Sequence, residues 1–363
     1  MRFLSLVVAI TFVPILVSAQ PVQGWKTDWN NRSIDLSEII SGGVPKDGIP
    51  PVDSPEYVPV EDARNWIDDR EPVVLVTVGG ESRAYPLQIL TFHEIVNTEV
   101  GGKPVAVTFC PLCYSTLVFD RELEGVIYDF GVSGMLRFSD LLMYDRQTES
   151  LWQQILGTAV VGELNGKQLH TFPSQIISFK QFYERHPDAL VLSRNTGHTR
   201  DYGTNPYPGY DDIDDRPFLF RGEIDDRLPP MERVVTVSIA DAAKAYPYRV
   251  TRKRNVINDE VGTIKLVVFH TKGATSALDK SNIKKSEEIG STGVFERMLD
   301  GQLLTFSYQK KRIVDTETNS VWDITGRSVE GPLAGRQLTP VTHGNYFSFA
   351  WFAFKPGTGV YRE

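Results

Sequence analysis

Short apolar runs broken by glycine, asparagine and aspartate dominate the chain. The stretch "EPVVLVTVGGESRAYPL" (71–87) sets a β-branched run and a second short run on either side of Gly-Gly, a hairpin signature. "KPVAVTF" (103–109), "STLVFDRELEGVIYDFGV" (115–132), "DLLMYDRQTESLWQQ" (140–154) and "TAVVGELNGKQLHTF" (158–172) continue as strands interrupted at turn-forming residues. Helical spacing is rarer: it predicts helices over "VEDARNWIDD" (60–69), "LQILTFHEIVNTE" (87–99) and "SQIISFKQFYERHP" (174–187). In the last, Ile177, Phe179, Phe182 and Tyr183 share one face and Pro187 stops the run. The expected fold class is therefore α+β and β-rich, with few short helices.

The pattern then repeats. "SRAYPLQILTFHEIVNTEVGGKPVAVTFCPLCYSTLVF" (82–119) aligns with "AKAYPYRVTRKRNVINDEVGTIKLVVFHTKGATSALDK" (243–280) at a constant offset, with Tyr85-Pro86 on Tyr246-Pro247, Asn97 on Asn258 and Ser115 on Ser276. A second block, 144–169 against 314–338, pairs Trp152 with Trp322, Gly162 with Gly331 and Leu169 with Leu338. The expected plan is two tandemly duplicated units packed together. Residues 1–20 form a signal peptide, 21–56 an N-terminal extension, 57–196 the first unit, 197–225 a connector and 226–363 the second unit. The connector is rich in Asp, Gly, Pro and Tyr, and its Asp211, Asp212, Asp214 and Asp215 lack calcium-loop spacing. They read as a solvated acidic linker.

Compartment and charge narrow the function. Arg2, the apolar run Leu4 to Val17 and the small residues Val17-Ser18-Ala19 predict a signal peptide cut near residues 19–20. That run, about 14 residues, is short for a membrane span, so the expectation is a periplasmic or secreted protein with no stable span after cleavage. The net charge is −8 and no Lys/Arg stripe exists, which argues against nucleic acid as a partner. A small ligand or a metal donor or acceptor is the partner class left. There is no phosphate-binding loop, and "GVSGM" (131–135) misses a nucleophile elbow by one residue, so Ser133 reads as a turn serine.

The candidate chemistry is concentrated in Cys110 and Cys113, the only two cysteines. Thiol-disulfide motifs of the thioredoxin type open a helix whose dipole activates the first thiol. Here "CPLC" leaves one strand and enters another, which resembles a metal knuckle able to hold zinc or copper. Two cysteines require a further ligand, and His93, just upstream, is the nearest of six histidines. Glu94 beside it can orient a ligand or act as a base. Met135 and Met143 are possible soft ligands but read as packing, and His270, which aligns with Phe109 next to Cys110, reads as structural.

The blocks "FHEIVNTEVGGKPVAVTFCPLCYSTLVFDR", "FGVSGMLRFSDLLMYDRQTESLWQQILGTAVVGELNGKQL" and "VLSRNTGHTRDYGTNPYPGYDD" resemble the bacterial and archaeal family called domain of unknown function 3179. The likeness runs from about residue 45 to the C-terminus. It places the family's His-Glu-Ile-Val-Asn and Cys-Pro-Leu-Cys blocks on His93 to Asn97 and Cys110 to Cys113 and implies no activity. The second unit departs from it, with Thr271 and Ala274 where the cysteines would fall. Three readings stay open: a metal-binding protein using Cys110, Cys113 and His93; a redox protein in which Cys110 attacks and Cys113 resolves; and a ligand-binding or scaffold protein with a structural Cys110–Cys113 disulfide. The first is preferred.

Overall fold

The structure, a computed structural model, describes residues 24–362. The signal peptide expected over residues 1–20 lies outside the described residues. Among those residues no helix is long and apolar enough to cross a membrane.

The first half opens with the hairpin Pro72–Val78 and Glu81–Pro86. Val78 pairs with Glu81 across Gly79-Gly80, whose φ values of 58° and 83° give a turn that matches the twist of the strands. Pro86 then fixes the entry to the helix Leu87–His93. The expected helix over 87–99 stops at Glu94, which sits at φ 59°, and the β-branched stretch that follows becomes the strand Ile95–Val100. That strand pairs with Lys103–Cys110, which pairs in turn with Ser115–Asp120. A second sheet follows, built from Phe130–Arg137, Asp140–Asp145, Leu151–Gln153 and Thr158–Val161. Its outer edge is covered by Ile39–Ser41 of the N-terminal extension. The expected helix over 174–187 is half strand: Ser174–Ser178 pairs with Pro72–Val78, and Phe179–Arg185 alone is helical, opened by a capping box between Ser178 and Gln181. Ile177 therefore belongs to the sheet and not to the face of Phe179 and Phe182.

The second half runs through the same order of elements. The hairpin Arg233–Ile239 and Ala242–Pro247 leads into the helix Tyr248–Arg254, closed by Asn255 at φ 62°. The strands Val256–Val261, Ile264–Thr271 and Ser291–Glu296 follow. Here the register corrects the sequence alignment. Cys110 is opposite Ser115, and Thr271 is opposite Ser291, so Ser291 and not Ser276 stands where Ser115 does. Residues 272–290 form an excursion in place of the short Cys-Pro-Leu-Cys turn. The strand His343–Phe347, the helix Ser348–Phe354 and the short strand Gly359–Val360, which pairs with Ala242–Pro247, come last among the described elements.

Each half carries the same polar clasp. The Asp145 carboxylate accepts the Thr148 amide (2.6 Å) and the Trp152 indole N–H (2.9 Å). Asp315 does the same for Thr318 (2.6 Å) and Trp322 (2.9 Å). Both Asp side chains are fully buried, so each clasp locks a hairpin turn to the large indole of its sheet. The halves share their cores: Phe347 and Phe349 pack in one cluster with Leu112 and Tyr114, and Ile177 and Phe179 pack in another with Phe269 and Phe295. Asp145→Ala and Asp315→Ala strand an indole N–H and an amide without acceptors. Each is expected to lower unfolding free energy by about 3 kcal/mol, as measured by denaturant titration.

Candidate functional site

The site forms where two hairpin turns meet. Lys103–Cys110 carries Cys110 at its end, and Pro111 to Tyr114 make the turn into Ser115–Asp120. No helix follows the motif. Tyr114 closes the turn at φ 55°, a region that non-glycine residues enter at a cost. Its ring is held by the Arg233 guanidinium at 4.7 Å and by the Phe347 ring at 5.6 Å. The Cys113 carbonyl accepts the Phe347 amide at 2.9 Å. The second turn, Phe138-Ser139, joins Phe130–Arg137 to Asp140–Asp145 with both residues at positive φ. The Ser139 carbonyl faces the Cys110 sulfur at 3.6 Å, and Asp140 begins the next strand.

These turns bring one ligand atom each of Cys110, Cys113 and Asp140 within 4.8 Å of one another, all three residues being buried. The Asp140 carboxyl is held asymmetrically. Its Oδ2 accepts the Gln153 amide (2.5 Å) and the Ile155 backbone N–H (3.0 Å), while Oδ1 is buried with no hydrogen-bond partner among the described residues, and the Cys113 thiol lies beside the carboxyl. Such second contacts to one oxygen orient the other. Burial raises the Asp140 carboxyl to about 7. It raises Cys113 well above a free thiol, with the neighbouring Cys110 and Asp140 adding to the effect.

Glu94 lies beside this trio. It is buried, occupies the left-handed position that ends its helix, and receives no side-chain hydrogen bond from any described residue. Burial, reinforced by the charge of Asp140, raises its carboxyl to about 8. At the matching helix end the second half has Asn255, a residue type that tolerates this backbone region well. The connector roofs the site: the Tyr210 hydroxyl donates to the Leu112 carbonyl (2.9 Å), and Ser139 Oγ donates to the Phe218 carbonyl (2.7 Å). Burial raises the Tyr207 and Tyr210 phenols, with Glu94 and Cys110 near the first and both thiols near the second.

His93 is not among the gathered groups. Its Nδ1 is 2.7 Å from the Pro50 carbonyl and its Nε2 is 2.6 Å from the Tyr202 hydroxyl, so both ring nitrogens are engaged elsewhere. Burial lowers its pKa to about 4. His270 is bonded to Thr251 Oγ1 at 2.8 Å. Ser133 Oγ donates to the Leu142 carbonyl (2.5 Å) and accepts the Met135 amide (3.0 Å) at a β-bulge. Met143 is buried in the first-half core, and Met135 packs in the outer cluster with Trp29 and Tyr144. The acidic linker has one clear exception to solvation, since Asp211 forms a buried ion pair with Arg233. The sequence reading missed Asp140. For Asp140 the only signal was a carboxylate heading the otherwise apolar run "DLLMY".

The second half cannot repeat the trio. Thr271 stands where Cys110 does, the excursion over 272–290 that replaces the Cys-Pro-Leu-Cys turn holds no cysteine, and the hairpin strand Arg312–Asp315 has four residues where Asp140–Asp145 has six. The chain belongs to the family described as "Protein of unknown function (DUF3179)", whose model matches residues 46–358. No curated protein and no solved structure matches it.

The raised carboxyls have a consequence for stability. Burial holds Glu71 at about 7, so Glu71, Asp140 and Glu94 keep protons in the folded state that they lose at lower pH in the unfolded chain. The buried histidines act with the opposite sign, but their unfolded forms are mostly neutral above about pH 7. From there to pH 8 the folded state binds more protons, and stability falls as pH rises. Urea titration of chelator-treated protein is expected to show a loss of roughly 1 kcal/mol between pH 7 and 8, reduced in Asp140→Asn.

Proposed function

We propose that the protein binds one zinc ion through Cys110, Cys113 and Asp140, with the Glu94 carboxyl beside it. The observation that carries this reading is Asp140 Oδ1: a buried, unpartnered acceptor within 4.8 Å of two thiol sulfurs, with its sister oxygen pinned by two donors. Leaving such an atom unsatisfied costs about 1–3 kcal/mol unless something meets it, and a cation meets it together with both sulfurs. Two thiolates and a carboxylate suit zinc, which accepts sulfur and oxygen in a tetrahedral set. A purely soft ion such as copper(I) favours sulfur ligands and has less use for the carboxylate.

Zinc bound there supplies a Lewis acid and holds the two thiols deprotonated. The chain's own residues do the rest. Gln153 and the Ile155 amide aim Asp140, the Ser139 carbonyl positions Cys110, and Glu94, held protonated near neutral pH by its burial, offers a proton. The redox reading has less support, because a nucleophilic cysteine needs a lowered pKa and an exposed, electropositive setting. Cys113 is raised, both cysteines are buried as free thiols, and no helix opens at the motif.

Purified without added metal, the protein is expected to carry about one zinc per chain by mass spectrometry. Cys110→Ser and Asp140→Asn should each lose most of it, while His93→Gln should retain it. Wild type with no metal and both thiols oxidised would sink the zinc reading in favour of a disulfide. Retention by Asp140→Asn together with loss by His93→Gln would transfer the third ligand to the histidine.

A further inference from the structure

The halves meet along two strand-on-strand contacts, Ser174–Ser178 against Ser291–Glu296 and His343–Phe347 against Ser115–Asp120. These contacts correspond, because Ser174–Ser178 pairs with the first hairpin as His343–Phe347 pairs with the second. They are filled differently. At the first, Gln175 reaches across, and its amide donates to the Thr292 and Ile324 carbonyls at 3.2 Å each. At the second, Gly344 stands in the place of Gln175, opposite Thr236, and among the described residues no side-chain hydrogen bond joins the two strands. A cleft of about 620 Å³ is left between the halves.

The lining of that cleft is chemically one-sided. Thr158 and Thr171 of the first half line the cleft with Thr236 of the second, and Thr236 Oγ1 is buried without a hydrogen-bond partner among the described residues. The Tyr346 hydroxyl, folded over Gly344, has no hydrogen bond among the described residues either. Leu117, Ile155 and Trp351 give apolar walls. No described Asp or Glu lines the cleft, while Lys355 does, and no described ion pair engages its ammonium group. Hydroxyl donors and acceptors, an aromatic wall and a single uncompensated cation suit a ligand that combines hydroxyls, C–H faces and one negative charge.

We propose that this cleft binds a small polyhydroxylated carboxylate of the sugar-acid class, its carboxylate on Lys355 and a hydroxyl on Thr236. The assignment goes beyond zinc binding and does not depend on it. The pattern of filling supports it, because the half-to-half contact closes perfectly well with a glutamine and is held open only where Gly344 occurs. The volume of about 620 Å³ lies near the middle of the range typical of ligand pockets and accommodates a molecule of this size.

The test is isothermal titration of the full chain with D-gluconate, with glucose as the probe lacking a carboxylate and acetate as the probe lacking hydroxyls. Gluconate is expected to bind more tightly than either. Lys355→Met removes a charge-assisted hydrogen bond and should weaken gluconate about tenfold or more, and Thr236→Val should weaken it about three- to tenfold. Gly344→Gln copies the filled contact and should abolish binding. A Cβ at Gly344 would stand 2.2 Å from the Tyr346 hydroxyl, so this variant counts only if its circular dichroism and unfolding match wild type, and the other two carry the result otherwise. Absence of gluconate binding, or binding unchanged in both Lys355→Met and Thr236→Val, overturns the proposal. Glucose binding as tightly as gluconate overturns the part played by the carboxylate. Zinc content measured on the same samples should be unchanged in all three variants, which separates failure here from failure of the metal site.

Discussion

The Phe347 amide donates to the Cys113 carbonyl across the boundary between the halves, and the candidate site depends on that bond. A Cys-Pro-Leu-Cys turn between two strands has little of its own to hold it. Its backbone is short, it ends on a tyrosine in a left-handed conformation, and its side chains are apolar or sulfur. What holds it comes from outside: the Phe347 strand, the Arg233 guanidinium over Tyr114, and the Tyr210 hydroxyl on Leu112. All three belong to the connector or to the second half. The cysteine-free half is thus a structural partner of the thiol-bearing turn, and neither half completes the site alone.

Burial governs the chemistry there. Two carboxyls and two thiols share a space from which water is excluded, and charge in such a space is costly unless neutralised by protons or a cation. The fold spends donors on one oxygen of Asp140 and leaves the other free, and it puts Glu94 where an asparagine serves equally well in the second half. Both choices run against local stability. Sites of this kind are where a structure departs from its own rules for the sake of a ligand.

Much of the framework was legible in the sequence. Gly79-Gly80 and Gly101-Gly102 between β-branched runs mark hairpins because few other residues enter those turns easily, and the two cysteines stood out by number and spacing. The helices were overextended because apolar periodicity over "LQILTFHEIV" is shared by a helix and by the strand that follows it. Only the backbone reversal at Glu94 divides them, and a glutamate does not advertise a left-handed conformation. His93 was favoured as a ligand by proximity along the chain, and in the structure its ring nitrogens meet the Pro50 carbonyl and the Tyr202 hydroxyl. Asp140 escaped notice because it reaches the thiols through a separate hairpin whose position against the first is a matter of tertiary packing. Likewise Ser276 was aligned with Ser115 since the excursion over 272–290 left no mark on the similarity that precedes it.

The roof formed by Tyr207, Tyr210 and Phe218 bears on time as well as on binding. An ion bound as proposed among the buried Cys110, Cys113 and Asp140 would lie beneath that segment of the connector. Its departure would be gated by the lifting of the strap, through rupture of the Tyr210–Leu112 and Ser139–Phe218 hydrogen bonds, and not by ligand exchange at the metal itself. Exchange of a metal bound as proposed would then be slow and independent of chelator concentration.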